Sequence, residues 1–156
     1  MAAEIRRADP ADAAALAADM READRLEALA VTGYAPLHAA ARSIRVSWPH
    51  VWAGSVDGEL LAVFGVRSAG LLSDTGVPWL LSTNAVDRHW RPFLRFSRVL
   101  LANWAEAFPV LENWVDARHE VAIRWLDWLG FEIEAPRPYG VYGLPFHRFT
   151  MRGRHV

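Results

Sequence analysis

Cysteine is absent from this 156-residue chain, and lysine is absent as well, so all 17 basic side chains are arginine. The lack of cysteine excludes disulfides, thiolate nucleophiles and zinc sites built on cysteine. No apolar run approaches the roughly 20 residues that span a bilayer, so we expect no membrane span. The first residues also lack the apolar centre of a signal peptide. The sequence therefore indicates a protein that stays in the cytoplasm of the cell that makes it.

The positive and negative charges of the chain nearly cancel. The formal net charge is −1, so no overall basic field favours nucleic acid, which we do not expect as the main partner. Hydrophobic residues make up 53% of the chain and charged residues 22%. This balance is typical of a globular protein with one sizeable core. We expect a single domain over residues 1–156, uninterrupted by repeats or linkers.

Metal-binding and hydrolase motifs are also missing. The six histidines show neither the His-x-x-x-His spacing nor the paired Glu of a metal site, so we expect no metal. No Gly-x-Ser-x-Gly elbow is present, so a serine hydrolase has no support. The histidines are His38, His50, His89, His119, His147 and His155.

What is present is a regular alternation of strand and helix patterns. A strand is predicted over residues 3–7, followed by a helix with Asp9 as N-cap and Pro10 in its first turn, running to about residue 30 before Gly33. The later elements are a helix over 37–46, strands over 51–56 and 60–66 around a turn at 57–58, a strand over 79–83, a helix over 88–107 capped by Asp87, a strand over 110–115, a helix over 119–129 closed by Gly130, and strands over 131–133 and 146–151.

Two helices carry a predicted buried side, read from apolar spacing. The order of strands and helices along the chain predicts an α/β (α+β) fold with a central mixed sheet and helices on both faces. A Pro- and Gly-rich loop over residues 136–145 is expected to cover a sheet edge, or to form a contact patch for another protein. The predicted buried residues are Leu16, Met20, Leu26 and Leu29 on the first helix and Leu94, Val99, Leu101 and Trp104 on the long one.

The element order resembles that of the GNAT acyltransferases. The local match lies in residues 119–131, His-Glu-Val-Ala-Ile-Arg-Trp-Leu-Asp-Trp-Leu-Gly-Phe, which resemble the late helix of that fold with its Leu-Gly-Phe ending. A second resemblance is to tailed-phage proteins related to internal virion protein A. It rests on residues 78–83 (Pro-Trp-Leu-Leu-Ser-Thr), 87–89, 113–119, 123–126, 129–131 and 138–146, which span most of residues 78–151. It implies a GNAT-like protein encoded by a phage or prophage.

The GNAT resemblance also shows two departures from the catalytic pattern. In that family the CoA pyrophosphate binds N–H groups at the start of the central helix, where an Arg/Gln-x-x-Gly-x-Gly/Ala loop lets it approach. The corresponding residues 87–93 contain no glycine, Pro92 lacks an N–H group, and Trp90 places a bulky ring there. The tyrosine that protonates the leaving thiolate corresponds to Leu126, which cannot donate a proton.

Four basic residues remain candidates for binding the cofactor that the GNAT resemblance implies. Arg88, His89 and Arg91 can attract an anion at a helix start, and His119 corresponds to the asparagine that contacts CoA in the family. The alternative is a capped helix start with solvated basic residues, and a His119 that serves as a cap or surface residue.

Asp116 and Arg118 follow a strand, at the end where open α/β sheets place ligands. Together with Asp87 and Arg88 they either orient a ligand or form a salt-bridge cluster that pins the central helix to the sheet.

Three hypotheses follow. The first is a non-catalytic, phage- or prophage-encoded binding scaffold, virion-associated or assembly-related, that needs no cofactor and binds a phage or host protein; it acts in the host cytoplasm or is packaged in the virion. The second is a divergent acyl-CoA-dependent N-acyltransferase that holds acetyl-CoA through Arg88, Arg91 and His119 and modifies a host or phage target. The third is a sensor of a small molecule or anion in the same cleft.

Overall fold

A mixed eight-stranded β-sheet organises the computed structural model, which describes residues 2–153. All strand pairs are antiparallel except β4 and β5, which are parallel, and the sheet order is β1-β2-β3-β4-β5-β8-β6, with β7 also paired to β8. The strands are β1 Ala3–Arg7, β2 Val51–Val56, β3 Glu59–Ser68, β4 Thr75–Ser82, β5 Val110–Asp116, β6 Glu132–Ile133, β7 Arg137–Tyr139 and β8 Leu144–Arg152. The helices are α1 Asp12–Asp19, α2 Glu22–Thr32, α3 Pro36–Ser47, α4 Trp90–Ala107 and α5 Glu120–Leu129, with a 3-10 turn at Asn84–Asp87.

Helices cover both faces of the sheet, so the predicted fold class is confirmed. On one face α4 and α5 pack on a large core in which the rings of Phe64 and Phe93 stack at 5.8 Å between centroids. On the other face α1 and α3 pack on a smaller core that includes Leu16 and Val63. Within residues 2–153, none of the helices combines the length and the apolar character needed to cross a membrane.

Two local turns follow directly from their glycines. Asp57 and Gly58 both have positive φ, 49° and 81°, which is the geometry of the two-residue hairpin turn predicted between β2 and β3. Gly130 ends α5 in the left-handed conformation with φ of 100°, as predicted. Both predictions are therefore confirmed. They could be made from the sequence because each turn depends on neighbouring residues alone.

The predicted continuous helix to residue 30 is wrong. The chain is extended at Met20, with φ −62° and ψ 135°, and α2 starts afresh at Glu22. Met20 forms a bridge with Thr83, and the Arg21 N–H donates to the Ser82 carbonyl at 3.0 Å. Contact with the end of β4 therefore overrides local helix propensity.

The break rotates α2 relative to α1, so the predicted apolar side of the second half is also wrong. Leu26 and Leu29 are 44% and 41% exposed, whereas Asp24 is only 7% exposed. Leu16 and Met20, which precede the break, are buried as predicted. The side of α2 that faces the protein therefore carries acids.

Neither predicted aspartate occupies the N-cap position of its helix, which is Ala11 in α1 and His89 in α4. α1 begins at Asp12, and the Asp9 carboxylate accepts the Ala11 N–H at 2.8 Å in the turn before it. Asp87 ends the 3-10 turn, and α4 begins at Trp90 without a side-chain cap. Both helices start later than predicted because a separate turn precedes each one.

The buried side of α4 is only partly as predicted. Trp104 is buried, and Leu94 and Leu101 pack against the core, but Val99 is 55% exposed. The other large side chains that fill the core from this helix are Phe93, Phe96 and Leu100.

The loop predicted over residues 136–145 contains the strand β7, which pairs with β8 and so covers part of its outer edge. The Tyr139 ring stacks on Trp114 at 4.4 Å between centroids. Beyond it, the Val141 N–H donates to the Ala30 carbonyl at 3.2 Å. The loop thereby joins the sheet to the end of α2.

The two parallel strands β4 and β5 separate soon after they meet. Their backbone register covers only Thr75 with Val110 and Gly76 with Leu111. Beyond these pairs, the side chain of Asn113 donates to the Pro78 carbonyl at 2.7 Å. A side chain thus takes the place of strand pairing, and a gap opens in the middle of the sheet.

Candidate functional site

A cavity of about 230 Å³ occupies the gap between β4 and β5 and is lined from both faces of the sheet. On one side α2 contributes Asp24 and Glu27, which we call the carboxylate wall. On the other side α4 and α5 contribute Trp104 and Trp125, which we call the tryptophan wall. Most of the remaining lining is apolar. The arrangement suits a largely apolar molecule that carries a few polar groups.

Asp24 is the most densely bonded side chain of the carboxylate wall. Its Oδ2 accepts the Ser82 N–H at 2.9 Å and the Ser82 hydroxyl at 2.5 Å. Its Oδ1 lies 3.0 Å from Nε2 of His119. The aspartate therefore stands between the serine and the histidine, and the histidine does not contact the hydroxyl. This order does not activate Ser82 as a nucleophile.

His119 ties α5 to this cluster and also caps that helix. Its Nδ1 accepts the Ala122 N–H at 3.4 Å, so in the neutral ring the proton lies on Nε2 and points at Asp24. Burial lowers the pKa of His119, but the hydrogen bond to Asp24 and the charges of Glu27 and Asp24 outweigh it, so the pKa is raised. Protonation strengthens the pair with Asp24 and gives up the long cap to Ala122.

Glu27 is the carboxyl of the cavity whose pKa is raised to near neutral. Burial raises the pKa of Glu27 to about 7, against the lowering effect of His119. The charges of Asp24 and Asp116 act in the same direction as burial, while the Asp116 N–H donates to Oε2 at 3.2 Å and opposes it. Near neutral pH this carboxyl can therefore either keep or release a proton.

Asp116 and Arg118 form a local pair at the end of β5. The guanidinium donates to both carboxylate oxygens, with the shortest contact at 2.7 Å, and the Arg118 N–H donates to Oδ1 at 2.9 Å. Burial raises the pKa of Asp116, but the bonds from Arg118 more than offset this and hold the pKa below its usual range. The pair leaves Asp116 charged and satisfied.

The other candidates predicted from the sequence lie elsewhere. Arg88 pairs with Glu59 on β3, and Nε2 of His89 is 3.6 Å from the same carboxylate. The guanidinium of Arg91 lies over the Trp90 ring at 5.0 Å. Because Glu59 already pairs with Arg88, the charge of that guanidinium is partly neutralised.

Asp87 pairs with Arg21 at 3.5 Å, and not with any residue of the Asp116 pair. The predicted salt bridges from Asp116 and Arg118 to Arg88 and Asp87 are therefore wrong. Of the seven predicted site residues, only His119 lines the cavity; Asp116 and Arg118 pair beside it, and Arg88 and His89 meet at Glu59. Whether any of the seven binds a ligand stays a prediction.

Sequence reasoning missed Asp24, Glu27 and Ser82 because their proximity to His119 arises only in the folded chain. One signal was present: Asp24 and Glu27 are three residues apart and so share a helix face. Their face lies away from Leu26 and Leu29, which the apolar spacing predicts as the buried side. Within residues 2–153, no group of three or more His, Asp or Glu side chains is arranged to hold a metal ion; His155 lies outside the described residues.

Comparison with solved structures shows the class of fold. Ard1 from Thermoplasma volcanium matches with a TM-score of 0.75 at 17% identity, covering 99% of this chain and 100% of that one. An N-acetyltransferase from Staphylococcus aureus Mu50 matches at 0.73 and 15% identity, with 99% and 100% covered. The protein yncA of Salmonella typhimurium, solved with its cofactor acetyl-CoA, matches with a TM-score of 0.67 at 18% identity, covering 100% of this chain and 96% of that one.

The chain therefore has the fold of the GNAT N-acetyltransferases. No protein-family model matches its sequence, and no curated protein matches it either. At these identities the comparisons show the fold and leave the chemistry to the residues of the site.

The start of α4 does not fit a CoA pyrophosphate held in the usual GNAT mode. Its first turn is Trp90, Arg91 and Pro92, so it offers no glycine and lacks one N–H donor. Between α4 and α5, the rings of Phe93 and Trp125 meet at 5.6 Å and bridge the two helices. Leu126, in the position of the family's proton donor, is buried in the core.

Proposed function

We propose that this chain is a GNAT-fold binding protein that takes a small, largely apolar organic amine into the cavity between β4 and β5. The observation that carries the proposal is Glu27, whose carboxyl lines this cavity with a pKa of about 7. A buried carboxyl held partly protonated by desolvation gains most from a cation, because pairing with the cation offsets the cost of its charge.

The charges of the carboxylate wall favour a cation over an anion on that side of the cavity. Asp24 and Glu27 line it from α2, and Asp116 adds negative charge behind Glu27. Arg21 and Arg42 also line the cavity, and the guanidinium of Arg21 is shared with Asp87. His119 is held by Asp24. An amine beside Glu27 therefore meets the carboxyl that lacks a basic side-chain partner among the described residues.

The size of the cavity sets the size of the ligand. Its volume of about 230 Å³ exceeds the roughly 150 Å³ of an apolar cavity that takes benzene. A single substituted aromatic ring with a short aminoalkyl arm is of this size. The mostly apolar lining suits such a body.

Isothermal titration at pH 8 with three probes of equal shape tests the proposal. We expect 4-methylbenzylamine to bind, and its neutral alcohol and its carboxylate analogues to bind at least tenfold more weakly. Glu27→Gln should abolish the preference for the amine, whereas Glu22→Gln, at the exposed start of the same helix, should leave it intact. Equal binding of all three probes, or an unchanged amine preference in Glu27→Gln, would refute the proposal.

A divergent acyl-CoA-dependent N-acyltransferase is the second candidate function. The specific observation that favours it is again Glu27, because a carboxyl with a near-neutral pKa can accept a proton from an amine. Thermal unfolding with about millimolar acetyl-CoA separates the two. Ligand at 100 times its dissociation constant adds roughly 2.7 kcal/mol of stability and raises the midpoint by several degrees. We expect no such rise; a clear rise would favour the acyltransferase and direct attention to a host or phage acceptor.

The scaffold hypothesis rests on the resemblance to internal virion proteins of tailed phages. It proposes a phage- or prophage-encoded protein without catalytic activity that binds a phage or host protein in the host cytoplasm or the virion. Cavity binding and a scaffold role are compatible, because a ligand between β4 and β5 leaves the outer surface free. Mass spectrometry of purified phage particles tests whether the protein is packaged in the virion. We expect to find the protein in the particles at a fixed copy number.

A further inference from the structure

Two buried hydrogen-bond donors of the tryptophan wall have no acceptor among the described residues. The indole Nε1 atoms of Trp104 and Trp125 are both shielded from solvent and make no hydrogen bond within residues 2–153. Trp104 is 9% exposed as a whole residue. Buried donors are nearly always paired, because leaving one unpaired forfeits its solvation without return. Two such donors beside one cavity call for an explanation.

Both tryptophans line the same cavity, and they come from different helices. Trp104 lies in the last turns of α4 and Trp125 in the middle of α5, and each indole lines the space between β4 and β5. The Trp125 ring is also held in place by Phe93. A phenylalanine at either position would fill the core without introducing a polar atom. The two tryptophans thus add N–H groups where packing alone does not require them.

The carboxylate wall has the opposite character. Asp24 is engaged by Ser82 and His119, and Glu27 accepts the Asp116 N–H through Oε2, which leaves Oε1 as an acceptor without a hydrogen bond within residues 2–153. A molecule that satisfies both walls carries a donor at one end and an acceptor at the other. The apolar lining between the walls suits a rigid hydrocarbon body.

We propose that the ligand of this cavity is an amine that carries a carbonyl-type hydrogen-bond acceptor at its far end, and that Trp104 and Trp125 donate their indole N–H groups to that acceptor. The proposal rests on the amine-binding function above and adds the second recognition element. Trp104 and Trp125 then set specificity: they discriminate between amines of equal size by the group opposite the amino end.

Matched probes separate this inference from the amine-binding function. The probes are 4-(aminomethyl)benzamide and its homologue 4-(2-aminoethyl)benzamide, which carry both groups, 4-methylbenzylamine, which lacks the acceptor, and 4-methylbenzamide, which lacks the amine. Isothermal titration should give at least one aminoalkyl benzamide a dissociation constant about tenfold below that of 4-methylbenzylamine.

Trp104→Phe and Trp125→Phe keep most of the ring and remove the donor. We expect each substitution to weaken binding of the aminoalkyl benzamide by about tenfold or less and to leave the affinity for 4-methylbenzylamine unchanged. Trp128→Phe, on the exposed side of α5, is the matched control and should change neither probe. In ¹H–¹⁵N spectra, hydrogen exchange of the two indole N–H groups should slow with the benzamides and not with 4-methylbenzylamine.

The outcomes distinguish the two proposals. If 4-methylbenzylamine binds but the carboxamide adds no affinity, the acceptor inference fails and the amine-binding function stands. If 4-methylbenzamide binds, and Trp104→Phe or Trp125→Phe weakens it while 4-methylbenzylamine does not bind, the acceptor site stands and the amine-binding function fails. If no probe binds, both are overturned.

Discussion

Asp24 and His119 lie 95 residues apart in the chain and share a 3.0 Å hydrogen bond in the interior of the fold. The contact joins α2 to the start of α5 across the gap between β4 and β5, and Ser82 at the end of β4 completes it. The polar cluster thus binds three elements together at the point where the sheet itself is not hydrogen-bonded.

Replacement of His119 by alanine should therefore destabilise the fold strongly. The substitution removes the basic partner of a buried carboxylate and the cap of α5, and we expect a loss of about 3 kcal/mol in the free energy of unfolding. Urea denaturation measures it. His89→Ala, which removes a histidine beside the exposed Glu59, should cost no more than about 0.5 kcal/mol. A loss of that small size at His119 would show that the buried pair does not stabilise the fold.

Glu27 should make stability fall as the pH rises. Its pKa is raised from 4.5 to about 7 in the folded chain, so the folded state holds a proton that the unfolded state has already released within that window. Stability is therefore lost as the pH rises from about 4.5 to 7, by about 3 kcal/mol at full effect. Glu27→Gln should be more stable than the wild type by that amount at pH 8 and equal to it near pH 4.

Urea denaturation as a function of pH measures the difference between the two proteins, which isolates Glu27 and its coupling to Asp24, His119 and Asp116. Glu22→Gln controls for the loss of an acid on the exposed start of α2. A constant difference between wild type and Glu27→Gln across the window would contradict the prediction.

The pKa of His119 should depend on Asp24. The folded value is raised because Asp24 and Glu27 outweigh the effect of burial. The stabilisation that the charged ring provides is present below pH 6.5 and is lost as the pH rises through the folded pKa. In Asp24→Asn we expect the pKa of His119 to fall, as followed by NMR of the imidazole. Asp87→Asn is the control, and a His119 titration that is the same in all three proteins would argue against the hydrogen bond as its cause.

Gly140 should be intolerant of a side chain. Its φ is +77°, and a Cβ built there would lie 2.3 Å from the Ala30 carbonyl oxygen. Gly143 has a φ of +64° and open space around it, so it is the matched control. We expect Gly143→Ala to cost about 1 kcal/mol from backbone strain alone, and Gly140→Ala about 3 kcal/mol. Equal costs in thermal unfolding would mean that the loop does not pack against the end of α2.

The parts of the fold that the sequence predicts are those fixed by near neighbours. The Asp57-Gly58 turn needs only two residues with positive φ, and the end of α5 needs only Gly130. The alternation of strands and helices then restricts the fold to a mixed sheet with helices on both faces. These features depend little on distant contacts.

The break at Met20 could not be predicted, because its cause lies 63 positions further along the chain, at Thr83. The break sets the orientation of α2, and that orientation places the carboxylate wall beside the cavity. Local spacing identified His119 and Asp116 at the end of a strand, but gave no sign that Asp24 and Glu27 meet them. The donors of Trp104 and Trp125 were hidden for the same reason, since aromatic residues at helical spacing are usually core.

The narrow pairing between β4 and β5 divides the sheet into two hydrogen-bonded units, β1–β4 and β5–β8, whose strands are joined within residues 2–153 only by two residue pairs of backbone register and the Asn113 side-chain bond. In native-state hydrogen exchange such units open with their own free energies. A molecule lodged between them contacts both and links their openings. Its arrival would therefore slow exchange in strands that it never touches, and the two halves of the sheet would begin to open as one.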